Sequence, residues 1–240
     1  MKKGFTLAEV LVTLGIIGVV AALTTPALIQ NVGNAKIAPR LQKAKATWEV
    51  AAEMLLNDEN SNTIWGVAQD SETLGRKMSK FMKITRAKHS ENGDFDYNYY
   101  NGQTLPASHV EFIAFDNGFG YRYDSDEGMI YYISVIEKHS SGGYKNTPNN
   151  QLIGKVVVDI NGKQTPNVLG KDAFAFELYN DGTLRPWGGK GSGRNMPISF
   201  RDEQIWSTSD EKNACNDETV TYGWGCAGSI FDNGMKIIYQ

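Results

Sequence analysis

The first thirty residues carry the clearest hydrophobic pattern of the chain. Lys2 and Lys3 precede an apolar run over residues 5–23, which contains one ionisable side chain, that of Glu9. As a helix that rises about 1.5 Å per residue, these nineteen residues come close to the roughly 30 Å of a bilayer's hydrocarbon core. The pattern therefore predicts an N-terminal helix that is long enough to span a membrane.

After residue 25 the apolar positions recur at steps of three and four, which is typical of an amphipathic helix. The positions expected to form its buried stripe are Ile37, Leu41, Ala44, Trp48, Ala51 or Ala52, and Leu55. The polar run at residues 57–62 predicts the end of this helix. A second helix is predicted over residues 71–84, with Asp70 or Ser71 as its cap.

Beyond a polar loop through Gly102, the spacing shortens to the alternation of β-strands. A hairpin is predicted from residues 109–115 and 121–123, around an Asp-Asn-Gly turn. Further strands are predicted at residues 129–136, 155–160, 173–178 and 183–184. Together these elements predict an α+β fold, in which an antiparallel sheet of about four to six strands carries the long helix on one face.

Glu9 separates three interpretations of the N-terminal segment. A secretory signal has an apolar run of about 7 to 15 residues and then a small-residue cleavage site, whereas this run is longer and no Ala-x-Ala site follows it. A plain membrane anchor fits the length but leaves Glu9 unexplained, because a charge inside a membrane is costly. In the third interpretation, cleavage between Gly4 and Phe5 creates an α-amino group one helical turn before Glu9. The carboxylate of one copy then pairs with the amine of a neighbouring copy.

The N-terminal residues resemble a known signature. Lys2-Lys3-Gly4, residues 5–7 with the sequence Phe-Thr-Leu, and Glu9, followed by the apolar run, are similar to the N-terminus of type IV pilins and of type II secretion pseudopilins. In that family a prepilin peptidase cuts after the glycine and methylates the new terminal phenylalanine. The resemblance therefore implies cleavage between Gly4 and Phe5, N-methylation of Phe5 and an assembly role for Glu9.

The resemblance also implies an architecture. The pilin-like fold has a long N-terminal α-helix, half of it transmembrane, packed on an antiparallel β-sheet with a C-terminal disulfide loop. The expected division is a leader of residues 1–4, a helix of residues 5–57 whose membrane and assembly half is 5–25, and a globular β-rich domain of residues 58–240.

Charge and cysteines agree with an exported protein. The formal net charge is −3, and loss of the two leader lysines makes it −5, so nucleic acid is not expected as a bulk partner. Cys215 and Cys226 are the two cysteines, and an even count on an exported chain favours a disulfide. Basic residues usually mark the cytoplasmic side of a membrane span, but here Lys2 and Lys3 lie before the apolar run and four basic residues lie after it, within 36–45. Charge alone therefore does not decide the orientation. The cysteine pair and the resemblance place the bulk of the chain outside the inner membrane.

Three loops carry candidate chemistry. Asp159, Asn161 and Asp172 surround a tight turn with hard oxygen ligands of the kind that calcium prefers, but the third acidic position and the terminal Glu of an EF-hand loop are missing. A bare Asp-x-Asn-Gly turn explains the same residues without metal. The glycine-rich stretch 187–195, around Lys190, is predicted to be a flexible surface loop. The aromatic residues at 222 and 224 either pack over the sheet edge or form a contact surface.

The predicted function is that of a structural subunit, a pilin or pseudopilin of an extracellular or periplasmic filament. The resemblance implies that its partners are copies of itself or related pilins, a prepilin peptidase and an inner-membrane assembly platform. No cofactor other than the calcium candidate is expected, and no enzyme, because three scattered histidines and no nucleophile motif give no catalytic pattern. Two alternatives stay open: a minor tip subunit that acts as an adhesin or as a DNA or surface receptor, and a membrane-tethered enzyme that does not assemble.

Overall fold

A computed structural model describes residues 6–90, 97–104, 119–135, 151–162, 164–165, 167–189, 215 and 222–239. The chain divides into two compact units, of which the first ends at Ile37 and the second begins at Ala38. Helix α1, Leu7–Asp58, contributes residues to both units. Each unit has its own character, since the first is an apolar helical segment and the second contains the sheet.

The second unit contains three further helices and six strands among the residues that the structure describes. The helices are α2, Ile64–Val67; α3, Ser71–Met78; and α4, Cys226–Asp232. The strands are β1, Ile84–Ser90; β2, Phe119–Ser125; β3, Ile130–Val135; β4, Leu152–Asp159; β5, Ala173–Tyr179; and β6, Leu184–Pro186. They pair in chain order as one antiparallel sheet, β1-β2-β3-β4-β5-β6. The predicted α+β fold, with its antiparallel sheet and C-terminal cysteine pair, is confirmed.

The amphipathic half of α1 packs on this sheet through the predicted stripe from Leu41 to Leu55, whereas Ile37, the first predicted position, is only half-buried. The buried side chains of this half are those of Ala38, Leu41, Ala44, Trp48, Ala51, Ala52 and Leu55. The Trp48 indole donates a hydrogen bond of 3.2 Å to the carbonyl of Gly182, in the turn between β5 and β6. Its ring also lies 6.5 Å from that of Tyr131 in β3. The bond satisfies the only polar atom of the indole, so a large side chain is buried without an unpaired donor.

The opposite face of the sheet is also covered. Every residue of β3, β4 and β5 is buried. An aromatic layer, formed by Tyr97, Tyr99, Trp187 and Trp224 together with Leu169, covers the second face with side chains from distant parts of the chain. When one face of an antiparallel sheet is exposed to solvent, apolar and polar residues alternate along its strands. When both faces are covered, the strands have continuous apolar sequences. This explains the unbroken Val156-Val157-Val158 of β4.

Two sequence predictions on local structure need correction. The helix predicted over residues 71–84 ends at Met78, although its cap is confirmed, since Asp70 Oδ1 accepts a hydrogen bond of 2.7 Å from Thr73 N. The polar loop predicted to follow it is wrong in part, because β1 begins at Ile84 and pairs with β2. The first strand of the predicted hairpin, residues 109–115, lies outside the described residues.

Candidate functional site

The apolar half of α1 exposes its side chains on every side. All residues from Leu7 to Thr25 are exposed, and ten of them are large and aliphatic. Among the residues that the structure describes, this is the one helix whose length and composition suit a membrane span. Burying ten such side chains is worth on the order of 20 kcal/mol. This segment therefore requires a bilayer or other apolar helices around it.

The N-terminal end of α1 forms a capping box. The backbone N–H and the hydroxyl of Thr6 both donate to Oε2 of Glu9 at 2.8 Å, and the N–H of Glu9 donates to the Thr6 hydroxyl at 3.3 Å. Such a reciprocal pair satisfies two of the N–H groups that a helix leaves unpaired at its start. Thr6 was not predicted as a partner of Glu9, although Thr-x-x-Glu before an apolar run is the sequence pattern of a capping box.

The hydroxyl groups inside the apolar half are paired within the helix. Thr13 Oγ1 donates to the carbonyl of Glu9 at 3.0 Å, Thr24 Oγ1 to that of Val20 at 2.9 Å, and Thr25 Oγ1 to that of Ala21 at 2.6 Å. These bonds let threonine enter an apolar environment at little cost. Glu9 is the only ionisable residue of Leu7–Thr25, so any polar interaction of this segment with another molecule centres on its carboxylate.

The C-terminal cysteines lie together. Cys215 and Cys226 form a disulfide with their Cα atoms 4.8 Å apart, and Cys226 is the first residue of α4. Helix α4 packs closely on the start of the glycine-rich stretch, where the N–H of Gly228 donates to the carbonyl of Trp187 at 2.9 Å. The prediction of a surface loop is therefore wrong at Trp187, which is buried, whereas Gly188 is exposed. Residues 190–195, including Lys190, lie outside the described part of the chain.

The aromatic residues before Cys226 pack inward. Trp224 is buried, and Tyr222 is half-buried with its ring 4.5 Å from that of Tyr99. Burial is also why the pKa of Tyr99 rises to about 12. Of the two sequence interpretations, the structure favours packing over the sheet, because Trp224 is buried and Tyr222 keeps only part of its surface exposed.

The calcium candidates meet in the loop between β4 and β5. Asp159 and Asp172 are both buried, and the amide Nδ2 of Asn161 lies 3.4 Å from Oδ2 of Asp172. Burial raises the pKa of Asp159 to about 7, although hydrogen bonds from the Tyr97 hydroxyl and from backbone N–H groups act in the opposite direction. Burial likewise raises the pKa of Asp172. Sequence reasoning missed Tyr97, which is distant in the chain and carries no local signal.

The structure does not bring the other predicted site residues together. Gly4 and Phe5 lie outside the described residues, so the cleavage site stays a prediction, as does the role of Glu9 in assembly. Glu9 and the disulfide belong to different units of the chain. The candidate functional site is therefore the exposed apolar helix with its capped, acidic start.

Comparison with known proteins bears on this helix. Residues 1–25 match the family described as the prokaryotic N-terminal methylation motif. A segment of 91 residues is 31% identical to the "Fimbrial protein" of Neisseria meningitidis serogroup B (strain ATCC BAA-335 / MC58), and it covers 37% of this chain and 51% of that protein. Both findings support a type IV pilin-like family. No solved structure matches the chain significantly.

A pilin-like chain of this kind joins an N-terminal apolar helix, suited to membrane anchoring, to a sheet domain with a C-terminal disulfide. The chain spans about half the length of the curated relative that it matches.

Proposed function

We propose that this chain is a structural subunit of an extracellular or periplasmic filament of the type IV pilus kind. The observation that carries the proposal is the fully exposed apolar half of α1, which begins with a capped acidic residue inside the matched methylation motif. In the membrane this segment anchors the precursor. In the filament the same side chains are buried against the helices of other subunits, so one apolar surface serves two environments.

Processing prepares the helix for assembly. A prepilin peptidase cuts between Gly4 and Phe5 and methylates the new amine of Phe5, which removes Lys2 and Lys3 from the start of the helix. Support comes from the match at residues 1–25 and from the position of Glu9, four residues after Phe5. The sheet domain lies on the outer side of the inner membrane before assembly, where an oxidising compartment suits the cysteine pair.

Glu9 sets the register between subunits. Both hydrogen bonds from Thr6 end on Oε2, so Oε1 stays available to the amine of a neighbouring subunit without loss of the cap. In an apolar surrounding, a stagger that leaves the carboxylate or the amine without its partner buries an unpaired charge at high cost, so the stagger that pairs them is favoured. The fimbrial relative supports assembly with copies of this chain or with related subunits on a membrane platform.

The mass of the mature protein tests the proposal. We expect the chain isolated from its native cells to begin at Phe5 and to carry one added methyl group, as read by intact-mass and N-terminal peptide mass spectrometry. A chain that keeps Met1 or Lys2 in a fully exported population would overturn the processing step, and with it the filament proposal.

A further inference from the structure

A strongly basic segment runs from the end of α3 into β1. Residues 76–88 contain six lysines and arginines and no acidic residue, whereas the whole chain has 24 basic and 27 acidic residues. Arg76 and Lys77 have partners, because they form ion pairs of 2.7 Å with Glu72 and Glu59. The surplus of positive charge therefore lies in the part of the segment beyond α3.

Three basic residues beyond α3 carry this surplus. Lys80, Lys83 and Arg86 are exposed, and none of them forms an ion pair among the residues that the structure describes. Unpaired surface charges of one sign create a local potential that does not depend on the net charge of the chain. The segment therefore attracts an anionic partner, although the net charge of the chain is −3.

An open groove of about 350 Å³ lies beside this segment, between α1, the turn that follows α3 and the turn between β2 and β3. Its apolar lining includes Val50 of α1, Phe81, Met82 and Tyr131. Lys83 lines the same groove, so the groove and the basic segment form one continuous surface.

The apolar part of this surface is exposed to water. Val50 is 57% exposed, and Met54, four residues later on the same face of α1, is 48% exposed. Among the described residues of the second unit, the other exposed large apolar side chain is that of Ile238. Exposed apolar side chains that stand together beside a groove indicate a surface for a partner. Val50, Met54, Lys80 and Lys83 are called the basic–apolar surface below.

Two acidic residues also line the groove, Asp126 and Glu127. Glu127 is paired with Lys43 at 2.8 Å, so Asp126 is the one lining acid without an ion pair among the described residues. Glu53 of α1 is exposed but does not line the groove. The groove and the basic segment together therefore keep a positive excess.

We propose that the basic–apolar surface binds the anionic phospholipids of a bilayer. Lysine and arginine attract the headgroup phosphates, while apolar side chains of the same surface enter the boundary between headgroups and acyl chains. Nucleic acid also carries phosphates, but single strands are held by aromatic rings on which the bases stack. Val50 and Met54 have no ring, so the exposed apolar side chains favour lipid.

The N-terminal helix makes a weak contact sufficient. Residues 7–25 suit a membrane span, so the chain's own anchor keeps it at a bilayer and gives the headgroups a high effective concentration. The inference rests on this anchoring step of the proposed function and not on filament assembly. Each basic side chain close to an anionic surface contributes about a fivefold gain in affinity, which salt screens.

The accessibility of Lys80 and Lys83 in nanodiscs tests the surface. The full chain is placed, one copy per disc, in phosphatidylcholine with or without phosphatidylglycerol as a third of the lipid. Acylation of the two lysines, read by peptide mass spectrometry, is expected to slow about fivefold in the anionic discs and to recover at about 0.5 M sodium chloride. Lys236 is exposed in the C-terminal segment and serves as the internal control, whose rate is expected to change little.

Oxidation of Met54 by hydroxyl radicals reports on the apolar part of the surface, with Met235 as the internal reference. Met54 is expected to be protected in the anionic discs. Lys80→Ser with Lys83→Ser is expected to weaken lipid binding about 25-fold and to remove most of that protection. Lys171→Ser with Lys236→Ser makes the same charge change at two other exposed positions and is expected to keep it. Val50→Ser keeps every charge and is expected to weaken binding about threefold.

Three results would contradict the proposal. Equal acylation and oxidation in the two kinds of disc would overturn the lipid surface, and recovery of the chain in both would show that its anchor is intact. Protection of Met54 that persists in Lys80→Ser with Lys83→Ser would overturn the assignment to these lysines. Equal protection by a single-stranded oligonucleotide added to the neutral discs, unchanged in Val50→Ser, would replace lipid by nucleic acid as the partner.

Discussion

The disulfide between Cys215 and Cys226 is expected to contribute a large share of the sheet domain's stability. The two residues are 11 positions apart, and a closed loop of that size lowers the entropy of the unfolded chain by an amount worth about 3 kcal/mol in the chain-entropy model. Both cysteines are buried, so their replacement also removes packing around α4. The expected loss for Cys215→Ala with Cys226→Ala is thus at least the loop-closure value.

Thermal unfolding in detergent measures this loss. For a chain of this size, about 3 kcal/mol corresponds to a decrease in Tm of roughly 6–12 °C. Dithiothreitol is expected to lower the Tm of the wild type by a similar amount and to leave the double variant unchanged, so the variant serves as the control for non-specific effects of the reductant. The reasoning fails if the wild type melts at the same temperature with and without reductant, or if the double variant melts with it.

Two further predictions concern the turn under α1 and the start of the apolar helix. Gly182→Ala forces a side chain onto backbone with φ +84° and places a Cβ 2.9 Å from that of Ala52, so a loss of about 2–4 kcal/mol is expected in urea unfolding. Gly102→Ala, at the same φ with open space around it, is expected to cost about 1 kcal/mol, and equal losses would refute the helix contact. Glu9→Gln keeps a capping box but removes the charge, so if the charge sets the register it abolishes filaments in electron micrographs as fully as Glu9→Ala does. Wild-type filament yield from Glu9→Gln would mean that the cap alone matters.

The sequence predicted the elements whose spacing follows from burial on one face. The stripe from Leu41 to Leu55 is buried as expected, because a helix that crosses a sheet hides one residue in every three or four. The Asp70 cap was equally visible, since capping is a local interaction between near neighbours. Strands β3 to β6 were found within a few residues of their observed ends.

Strand β1 was missed for a physical reason. Its sequence, Ile-Thr-Arg-Ala-Lys-His-Ser, has no apolar alternation, because it lies at the edge of the sheet and several of its side chains are exposed. Charged residues such as Arg86 and Lys88 on an edge strand oppose pairing with another chain. The same charged residues interrupt the apolar alternation by which a strand is recognised in a sequence.

The β4–β5 loop shows a second limit. Asp159, Asn161 and Asp172 were visible as a group, since they follow one another in a short stretch. Neither Tyr97, some sixty positions earlier, nor the burial of both carboxylates has a local signal. Burial here depends on the aromatic layer over the second face of the sheet, and long-range packing of that kind overrides what the turn sequence alone predicts.

The two units of the chain differ in their roles: the second folds around its own core, and the first provides the apolar surface for association. In the second unit the sheet is covered on both faces, and the large apolar side chains of the described residues are mostly buried within the unit itself. In the first unit every described residue from Leu7 to Thr25 is exposed, so its burial has to come from outside the chain. The hydrophobic free energy that drives association is therefore concentrated in one helical segment. Substitutions in that segment should change assembly and leave the melting of the sheet domain unaltered, whereas substitutions such as those at Cys215 and Gly182 should do the reverse.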